Sequence, residues 1–260
     1  MARFVVGVPL ILLLASVASA QNPPQSDPQA VSLATQAMAA LTNGVAVSDV
    51  TLSGNATWIA GLDVETGSAT LLAKGTGESR IDLSLTSGQR SEIRNNASGP
   101  QGAWVDAGTT HAYALHNCWT DSAWFFPILS SLSGANPSAV LSYIGSETRN
   151  GTSVQHLHSY FYLPAKKPDL TILAQNASTM DFYLDSASLL PVAIVFNAHP
   201  DDDATRNIAV EVDFSNYQAA GGVLVPMHLQ KYVQGTLVLD FTVTGVALNT
   251  GLSDGLFAIQ

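Results

Sequence analysis

The chain has 260 residues, of which 20 are acidic and 10 basic, so its net charge at pH 7 is −10. This charge excludes a protein that binds the phosphate backbone of nucleic acids, because such a protein needs a basic face. It also disfavours docking on anionic lipid surfaces through charge. Hydrophobic residues make up 47% of the chain and charged residues 12%, which excludes intrinsic disorder and suffices for one large core.

Residues 1–20 have the pattern of a cleavable export signal. Arg3 gives a short basic start, residues 4–17 form an apolar run, and Ala18-Ser19-Ala20 places small residues before the predicted cut. The apolar run is too short to span a bilayer. Gln21, rather than a cysteine, follows the cut, so no lipid anchor is expected. We therefore expect a soluble exported protein without a transmembrane anchor, periplasmic or alternatively extracellular.

The first part of the mature chain changes from a helical to a strand pattern. Residues 21–27 are polar and proline-bearing, which predicts a short flexible leader. Apolar side chains then recur at helical spacing over residues 28–41 and predict one amphipathic helix with Asp27 as its N-cap. The period next changes to two. That pattern predicts an antiparallel meander with strands at residues 66–73, 78–86 and 89–94.

The middle of the chain is less regular. Residues 95–110 are rich in Gly, Ala and Asn, which predicts a loop. Residues 121–132 gather Trp124, Phe125 and Phe126 with several aliphatic side chains, and we predict a short apolar helix there. Aromatic side chains at this density bury large areas. This segment is therefore expected to lie against the sheet or over a cavity.

Strand patterns dominate from residue 139 onward. Residues 139–147 and 154–163 flank Arg149-Asn150-Gly151, and Asn-Gly is the favoured pair of a tight hairpin. Residues 169–177 predict a small helix. Alternating apolar and polar residues predict the remaining strands at residues 180–185, 190–198, 207–217, 223–232 and 236–248.

About nine antiparallel strands with one apolar face must curl to bury that face, because only two short helices are available to cover it. The predicted fold class is therefore mainly β with a few helices (α+β), a curved antiparallel sheet forming an open or incomplete barrel covered by helices. No internal repeat and no break in composition indicates a second domain, so residues 28–260 are predicted to form one domain.

Short motifs on the last strands point to a known family. They are Phe182-Tyr183-Leu184-Asp185 with Leu189-Leu190-Pro191-Val192, Val212-Asp213-Phe214-Ser215-Asn216-Tyr217, Gly222-Val223-Leu224-Val225-Pro226, Val246-Ala247-Leu248-Asn249 and Leu252-Ser253-Asp254-Gly255-Leu256-Phe257. Together with the predicted helix and meander, this series resembles the superfamily of exported lipid and lipoprotein carriers typified by LolA, LolB and LppX. In a purely structural interpretation, Pro191 and Pro226 suit strand starts, and Phe257 is expected to be buried in the core.

The resemblance implies a single LolA-like domain that holds an acyl chain, lipid or lipoprotein between the sheet and its covering helices. Some members of that superfamily act instead as envelope-stress sensors. The candidate cavity lining consists of Trp124, Phe125, Phe126, Leu129, Leu157, Phe161, Phe182 and Phe196. The alternative is that these side chains form a packed core, in which case the protein is an envelope interaction or sensor module that acts through its convex surface. The client and the oligomeric state stay open.

Few residues suggest catalysis. His156 and His158 lie two apart on a predicted strand, so both project from one face as a metal pair would. Further ligands would have to come from His199 and residues 201–203, which otherwise form a solvated acidic loop. Cys118 is interpreted as a buried apolar thiol rather than a nucleophile. No nucleophile elbow or phosphate-binding glycine loop occurs, so we predict a non-enzymatic protein without metal or cofactor, and a histidine-dependent metal enzyme is the less favoured alternative.

Overall fold

The computed structural model describes residues 23–134, 136–164 and 168–260. The predicted export signal, residues 1–20, lies outside these ranges. The described residues form two helices and thirteen strands. The helices are α1 (Pro28–Thr42) and α2 (Pro168–Ala177). The strands are β1 (Asp49–Ala60), β2 (Asp63–Lys74), β3 (Ser79–Leu85), β4 (Gly88–Asn95), β5 (Gln101–Asp106), β6 (Thr109–Ala112), β7 (Ala139–Arg149), β8 (Thr152–Phe161), β9 (Met180–Asp185), β10 (Pro191–Ala198), β11 (Ile208–Ala220), β12 (Val223–Val233) and β13 (Thr236–Leu248).

All thirteen strands belong to one antiparallel sheet with the order β6-β5-β4-β3-β2-β1-β13-β12-β11-β10-β9-β8-β7. Neighbours in the sheet are neighbours in sequence everywhere except at one place, where β1 pairs with β13. The strands β6 and β7 form the two edges, so the curved sheet is not closed into a barrel. The predicted fold class is confirmed, with thirteen strands instead of about nine.

Two glycines allow neighbouring strands to approach closely. A Cβ atom on Gly54 would lie 2.0 Å from the carbonyl oxygen of Thr242, and one on Gly67 would lie 1.9 Å from that of Ser84. No side chain fits at such distances, so glycine is required at both positions. Glycine within a strand is typical of sites where another backbone comes close or where the sheet bends. Gly54 lies on β1 where it pairs with β13, whereas Gly67 lies on β2 and faces β3.

Helix α1 covers one face of the sheet, which we call the concave face. Asp27 caps the helix by accepting a hydrogen bond from the backbone nitrogen of Gln29 (2.8 Å), as predicted. The helix ends at Asn43, which adopts the left-handed conformation (φ 48°). Its buried stripe is built largely from alanines, which lets the helix pack closely on β7 and β12.

The predictions for the middle of the chain were partly wrong. Residues 95–110 are not a loop, because they include β5 and the start of β6, which pair through a tight turn at Ala107-Gly108 with φ angles of 48° and 80°. Strand β1 was not recognised either. The composition of residues 95–110 suggested a loop, but pairing with β4 supplies the backbone partners that short, glycine-bearing strands need.

Residues 121–132 do not form the predicted helix. The segment contains two short 3-10 turns, Pro127–Leu129 and Ser131–Ser133. Polar side chains compete here for the backbone, since the carboxylate of Asp121 accepts a hydrogen bond from the backbone nitrogen of Ser131 (2.8 Å). The aromatic side chains of the segment are nevertheless buried in the main core. The expectation that this segment lies against the sheet is confirmed.

The main core lies between the concave face, α1 and the segment just described. The C-terminal residues cross the other face of the sheet, where Asp254–Phe257 contacts β3 and β4. Phe257 is fully buried, as predicted, but outside the main core cluster, and its carbonyl accepts a hydrogen bond from Asn95 (3.0 Å). Among the described residues, no helix combines the length and apolar character needed to cross a membrane.

Candidate functional site

A cavity of about 550 Å³ lies at the end of the sheet where the β1–β2 and β12–β13 hairpins turn. Its wall is formed by aliphatic side chains of β3, β12 and β13 together with aromatic rings. The main lining residues are Trp58, Ile81, Leu83, Trp104, Tyr113, Trp124, Val233 and Leu239. Exposed residues Ala60, Gly61 and Thr236 form part of the rim. The volume lies within the range of typical small-molecule sites.

A second cavity of about 350 Å³ adjoins the first on the concave face. The two have part of their lining in common, namely Glu92, Trp104, Tyr113, Trp124, Lys231 and Val233. The second cavity continues past Phe196 towards His199 and Asp201. The two spaces therefore share one wall, and we call them together the aromatic groove.

Three tryptophans of the aromatic groove come from separate parts of the chain. Trp58 lies near the end of β1, opposite Leu239 of β13. Trp104 lies on β5, pairs across the strands with Glu92, and stacks on His111 with 4.0 Å between ring centroids. Trp124 projects from the buried segment and meets Phe125 edge to face. Strand pairing and burial of the segment bring these distant residues together.

Two cations lie over the rings of the aromatic groove. The guanidinium of Arg90 lies 3.9 Å from the ring centroid of Trp58, and the ammonium of Lys231 lies 4.2 Å from that of Trp124. Both cations have carboxylate neighbours. Arg90 is 3.9 Å from Glu65 and 3.7 Å from Asp106, and Lys231 is 3.8 Å from Glu92. The groove thus carries compensated charges rather than a field of one sign.

Two titratable groups have shifted pKa values, the hydroxyl of Tyr113 in the aromatic groove and the carboxyl of Glu65 beside Arg90. Burial raises the pKa of Tyr113, so its hydroxyl stays protonated at neutral pH. Hydrogen bonds from the side chain and backbone of Ser87 hold the pKa of Glu65 below its usual value. Glu65 is therefore ionised and can balance Arg90. Neither group has the intermediate pKa that general acid–base catalysis favours.

The eight predicted lining residues divide into three sets. Trp124 lines both parts of the aromatic groove and Phe196 lines its smaller part, whereas Leu129 and Phe161 line a separate polar cavity of about 380 Å³. The other four are fully buried in the main core and line none of these three cavities: Phe125, Phe126, Leu157 and Phe182.

Sequence reasoning missed most of the aromatic groove, including Trp58, Trp104, Tyr113, Arg90 and Lys231. Tryptophan is rare in this chain, which has only 4, and half of them, Trp58 and Trp104, lie on strands. Large aromatic residues in such a setting were the available signal. Their position beside one another depends on strand register, which the sequence pattern does not specify.

The two strand histidines share one carboxylate. His156 Nε2 and His158 Nδ1 each lie 2.9 Å from Asp181 Oδ1. Burial acts to raise the pKa of Asp181, but the hydrogen bonds from His158 and His156 outweigh it and lower that pKa. Tyr183 stacks against His156 at 4.5 Å, in a small cluster separate from the main core. Within the described ranges, no group of three or more His, Cys, Asp or Glu side chains is arranged to hold a metal ion.

His199 lies elsewhere and does not complete a site with the strand histidines. Its Nδ1 is 3.2 Å from the carbonyl of Arg206, its ring meets that of His116 edge to face, and burial lowers its pKa. The acidic residues 201–203 are exposed, as the loop interpretation predicts. Cys118 is buried, as predicted, and burial raises the pKa of its thiol.

Solved structures share this fold at low sequence identity. A Vibrio parahaemolyticus domain named for outer membrane lipoprotein sorting is similar over 88% of this chain and 96% of its own, with 11% identity and a TM-score of 0.54. A LolA superfamily protein from Nitrosomonas europaea is similar over 88% of this chain and 97% of its own, with 10% identity and a TM-score of 0.55. A DUF1329 family protein from Desulfovibrio piger is similar over 90% of this chain and 98% of its own, with 12% identity and a TM-score of 0.55.

No protein-family model matches the sequence. No curated protein matches it either. The structural likeness therefore establishes the fold alone: the chain has a LolA-like fold, as its last strands predicted.

Proposed function

Starting from the LolA-like fold, we propose that this protein is an exported, non-enzymatic binding protein that holds an apolar ligand, such as the acyl chain of a lipid or lipoprotein, in the aromatic groove. One observation carries the proposal, namely a cavity of about 550 Å³ with a largely apolar wall and an exposed rim. The names of two structural neighbours, which refer to lipoprotein sorting and to LolA, support the same direction.

The hydrophobic effect alone supplies useful affinity in such a groove. Each methylene removed from water contributes about 0.8 kcal/mol. Ten buried methylenes would therefore contribute about 8 kcal/mol, which corresponds to micromolar binding before the cost of ordering the chain. The two cations over Trp58 and Trp124 already have carboxylate partners, so they make no demand for a charged ligand.

The absence of an arranged catalytic group in the described residues favours binding over catalysis. Arg90, Asp106, Glu92 and Lys231 of the aromatic groove are held in ion pairs, and the buried thiol of Cys118 has a raised pKa. The export signal predicted in residues 1–20 supports a location in the periplasm, or alternatively outside the cell. An exported carrier would meet lipids in either location.

Lipid binding can be measured directly. Native mass spectrometry and lipid extraction of the purified protein should reveal a co-purifying lipid, and a fluorescent fatty acid should bind with micromolar affinity. Leu83→Trp should fill part of the aromatic groove and weaken fatty-acid binding by at least about tenfold, a change of about 1.4 kcal/mol. Leu170→Trp, at an exposed position on α2, is the matched control and should bind as the unmodified protein does.

A protein without co-purifying lipid and without fatty-acid uptake would not be a carrier. Binding that is equally strong in Leu83→Trp would move the ligand away from the aromatic groove. Stable protein partners recovered together with an empty lipid assay would favour the interaction or sensor module instead.

A further inference from the structure

The polar cavity of about 380 Å³ differs in chemistry from the aromatic groove. It lies near the β2–β3 turn and the buried segment that follows residue 118. Ten of its 21 lining residues carry a hydroxyl or amide side chain. Only two are charged, Arg94 and Asp121, and these have opposite signs. Such a lining disfavours an acyl chain, because covering these polar groups with hydrocarbon would cost their hydration.

Arg94 is the most informative residue of this cavity. It is only 6% exposed, yet among the described residues no carboxylate lies within 4.0 Å of it. Its one hydrogen bond runs from Nη2 to the carbonyl of Thr120 (3.0 Å). A guanidinium has five donors, and a buried cation normally has a charged or polar partner for most of them. Arg94 therefore has donors available for a ligand in the cavity.

Asp121 offers acceptors to the same space. Its Oδ2 accepts hydrogen bonds from the backbone nitrogen and the hydroxyl of Ser131 (2.8 and 2.7 Å), while Oδ1 has no hydrogen-bond partner within the described chain. Burial raises the pKa of Asp121. The side chains of Gln101 and Ser122 line the cavity and likewise make no hydrogen bond to other described residues. The cavity thus presents both free acceptors and free donors.

These groups discriminate between classes of ligand. A phosphate would meet a single cation, and a metal ion would find only one carboxyl group. A hydroxyl group, in contrast, both donates and accepts, so neighbouring hydroxyls can bond to a carboxylate and a guanidinium at the same time. The rings of Trp119 and Phe161 also line the cavity and supply apolar surface for the carbon faces of a sugar ring.

We propose that this cavity, lined by Arg94, Asp121, Gln101, Ser122 and Trp119, binds a neutral polyhydroxylated group, namely a sugar that is either free or the head group of a lipid. The site does not depend on ligand binding in the aromatic groove. The two cavities are nevertheless close, because Arg94 and Thr120 also line the smaller part of that groove. One amphiphile with a sugar head could therefore occupy both.

Calorimetric titration can separate the two sources of the sugar. The probes are maltose, N-acetylglucosamine and myo-inositol as free polyols, dodecyl maltoside as a lipid-linked sugar, and a dodecyl ether with an oligoethylene glycol head as the tail control. We expect dodecyl maltoside to bind at least about tenfold more tightly than the ether, an advantage of the size of one or two hydrogen bonds. Binding of a free polyol as well would show that no tail is needed.

Two substitutions test whether the higher affinity for dodecyl maltoside arises in this cavity. Gln101→Ala and Asp121→Asn should each reduce maltoside affinity about tenfold and leave binding of the ether unchanged. The matched controls, Gln29→Ala and Asp202→Asn, change exposed residues remote from the cavity lining and should have no effect. Should Asp121→Asn fail to fold, Gln101→Ala still tests the site, because its side chain makes no hydrogen bond to other described residues.

The proposal is overturned if no polyol binds at about 10 mM and maltoside binds no better than the ether. It is equally overturned if maltoside keeps its advantage in folded Gln101→Ala and Asp121→Asn. Loss of binding of the ether and of fatty acids would instead count against the aromatic groove, so the two proposals fail in different assays.

Discussion

Asp49 is expected to hold the two ends of the domain together, and its replacement by asparagine should lower the free energy of unfolding. The carboxylate is 3% exposed and accepts four hydrogen bonds, from the backbone nitrogen and hydroxyl of Thr250 (2.8 and 3.0 Å), the backbone nitrogen of Gly251 (3.0 Å) and the hydroxyl of Ser48 (3.1 Å). Hydrogen bonds to a charged group contribute about 1.5–3 kcal/mol each. Asp49→Asn keeps the shape of the side chain, but it replaces one acceptor oxygen by an NH2 donor, which then faces these N–H and O–H donors.

The expected loss is about 2 kcal/mol at pH 7, which corresponds to a fall in Tm of about 6 °C for a domain of this size. The loss should depend on pH. Burial acts to raise the pKa of Asp49, but the hydrogen bonds from Thr250 and Gly251 outweigh it and lower the pKa below its usual value. The stabilisation is therefore fully present above the unfolded pKa of about 3.9 and disappears as the pH falls through the folded pKa.

Urea denaturation at several pH values between 7 and 3 measures both quantities. The difference between the unmodified protein and Asp49→Asn should be constant from pH 7 to about pH 5 and shrink below about pH 4. Asp202→Asn, at an exposed position, should differ by less than about 0.5 kcal/mol throughout. Equal stability of Asp49→Asn and the unmodified protein at pH 7, or a difference that grows on acidification, would refute this reasoning.

Two further predictions concern packing. Gly67→Ala should lower the free energy of unfolding by more than about 2 kcal/mol, because its Cβ would lie 1.9 Å from a carbonyl oxygen. Gly61→Ala has open space around it and a φ of 63°, so it should cost only about 1 kcal/mol. Thermal unfolding compares the two variants, and equal effects would contradict the close approach at Gly67. Cys118 should react slowly with a thiol reagent at pH 8 in the native protein and quickly in urea, because burial both shields the thiol and raises its pKa. Fast labelling of the native protein would contradict the burial of the thiol.

Local sequence patterns were sufficient to predict an element wherever the residues of that element decide its conformation. The cap at Asp27 and the helical spacing after it located α1, and alternation of apolar and polar residues located β9 and β13 with the bounds that the structure has. The hairpin at Asn150-Gly151 followed from turn chemistry, with φ angles of 48° and 81°. Such signals are short-range, so they can be interpreted from the sequence without knowledge of the fold.

The errors arose where distant parts of the chain decide the outcome. Strand β5 contains few typical strand residues and depends on pairing with β4, while the buried segment around Trp124 is apolar because of what it covers rather than because it is helical. The aromatic groove combines Trp58, Trp104 and Trp124, whose closeness depends on the register of non-adjacent strands. Of the eight side chains predicted to line a cavity, Trp124 and Phe196 line that groove, and Leu129 and Phe161 line the polar cavity.

The pairing of β1 with β13 has a consequence for how the chain matures. β1 ends at Ala60, whereas its partner spans Thr236–Leu248, so a ribosome must synthesise all the strands from β2 to β12 before the partner exists. Throughout that interval β1 displays bare backbone amides and carbonyls along its outer side, which is the kind of template that captures other nascent chains. A chaperone that shields the early strands, or rapid pairing once the last strand has emerged, would therefore limit such capture.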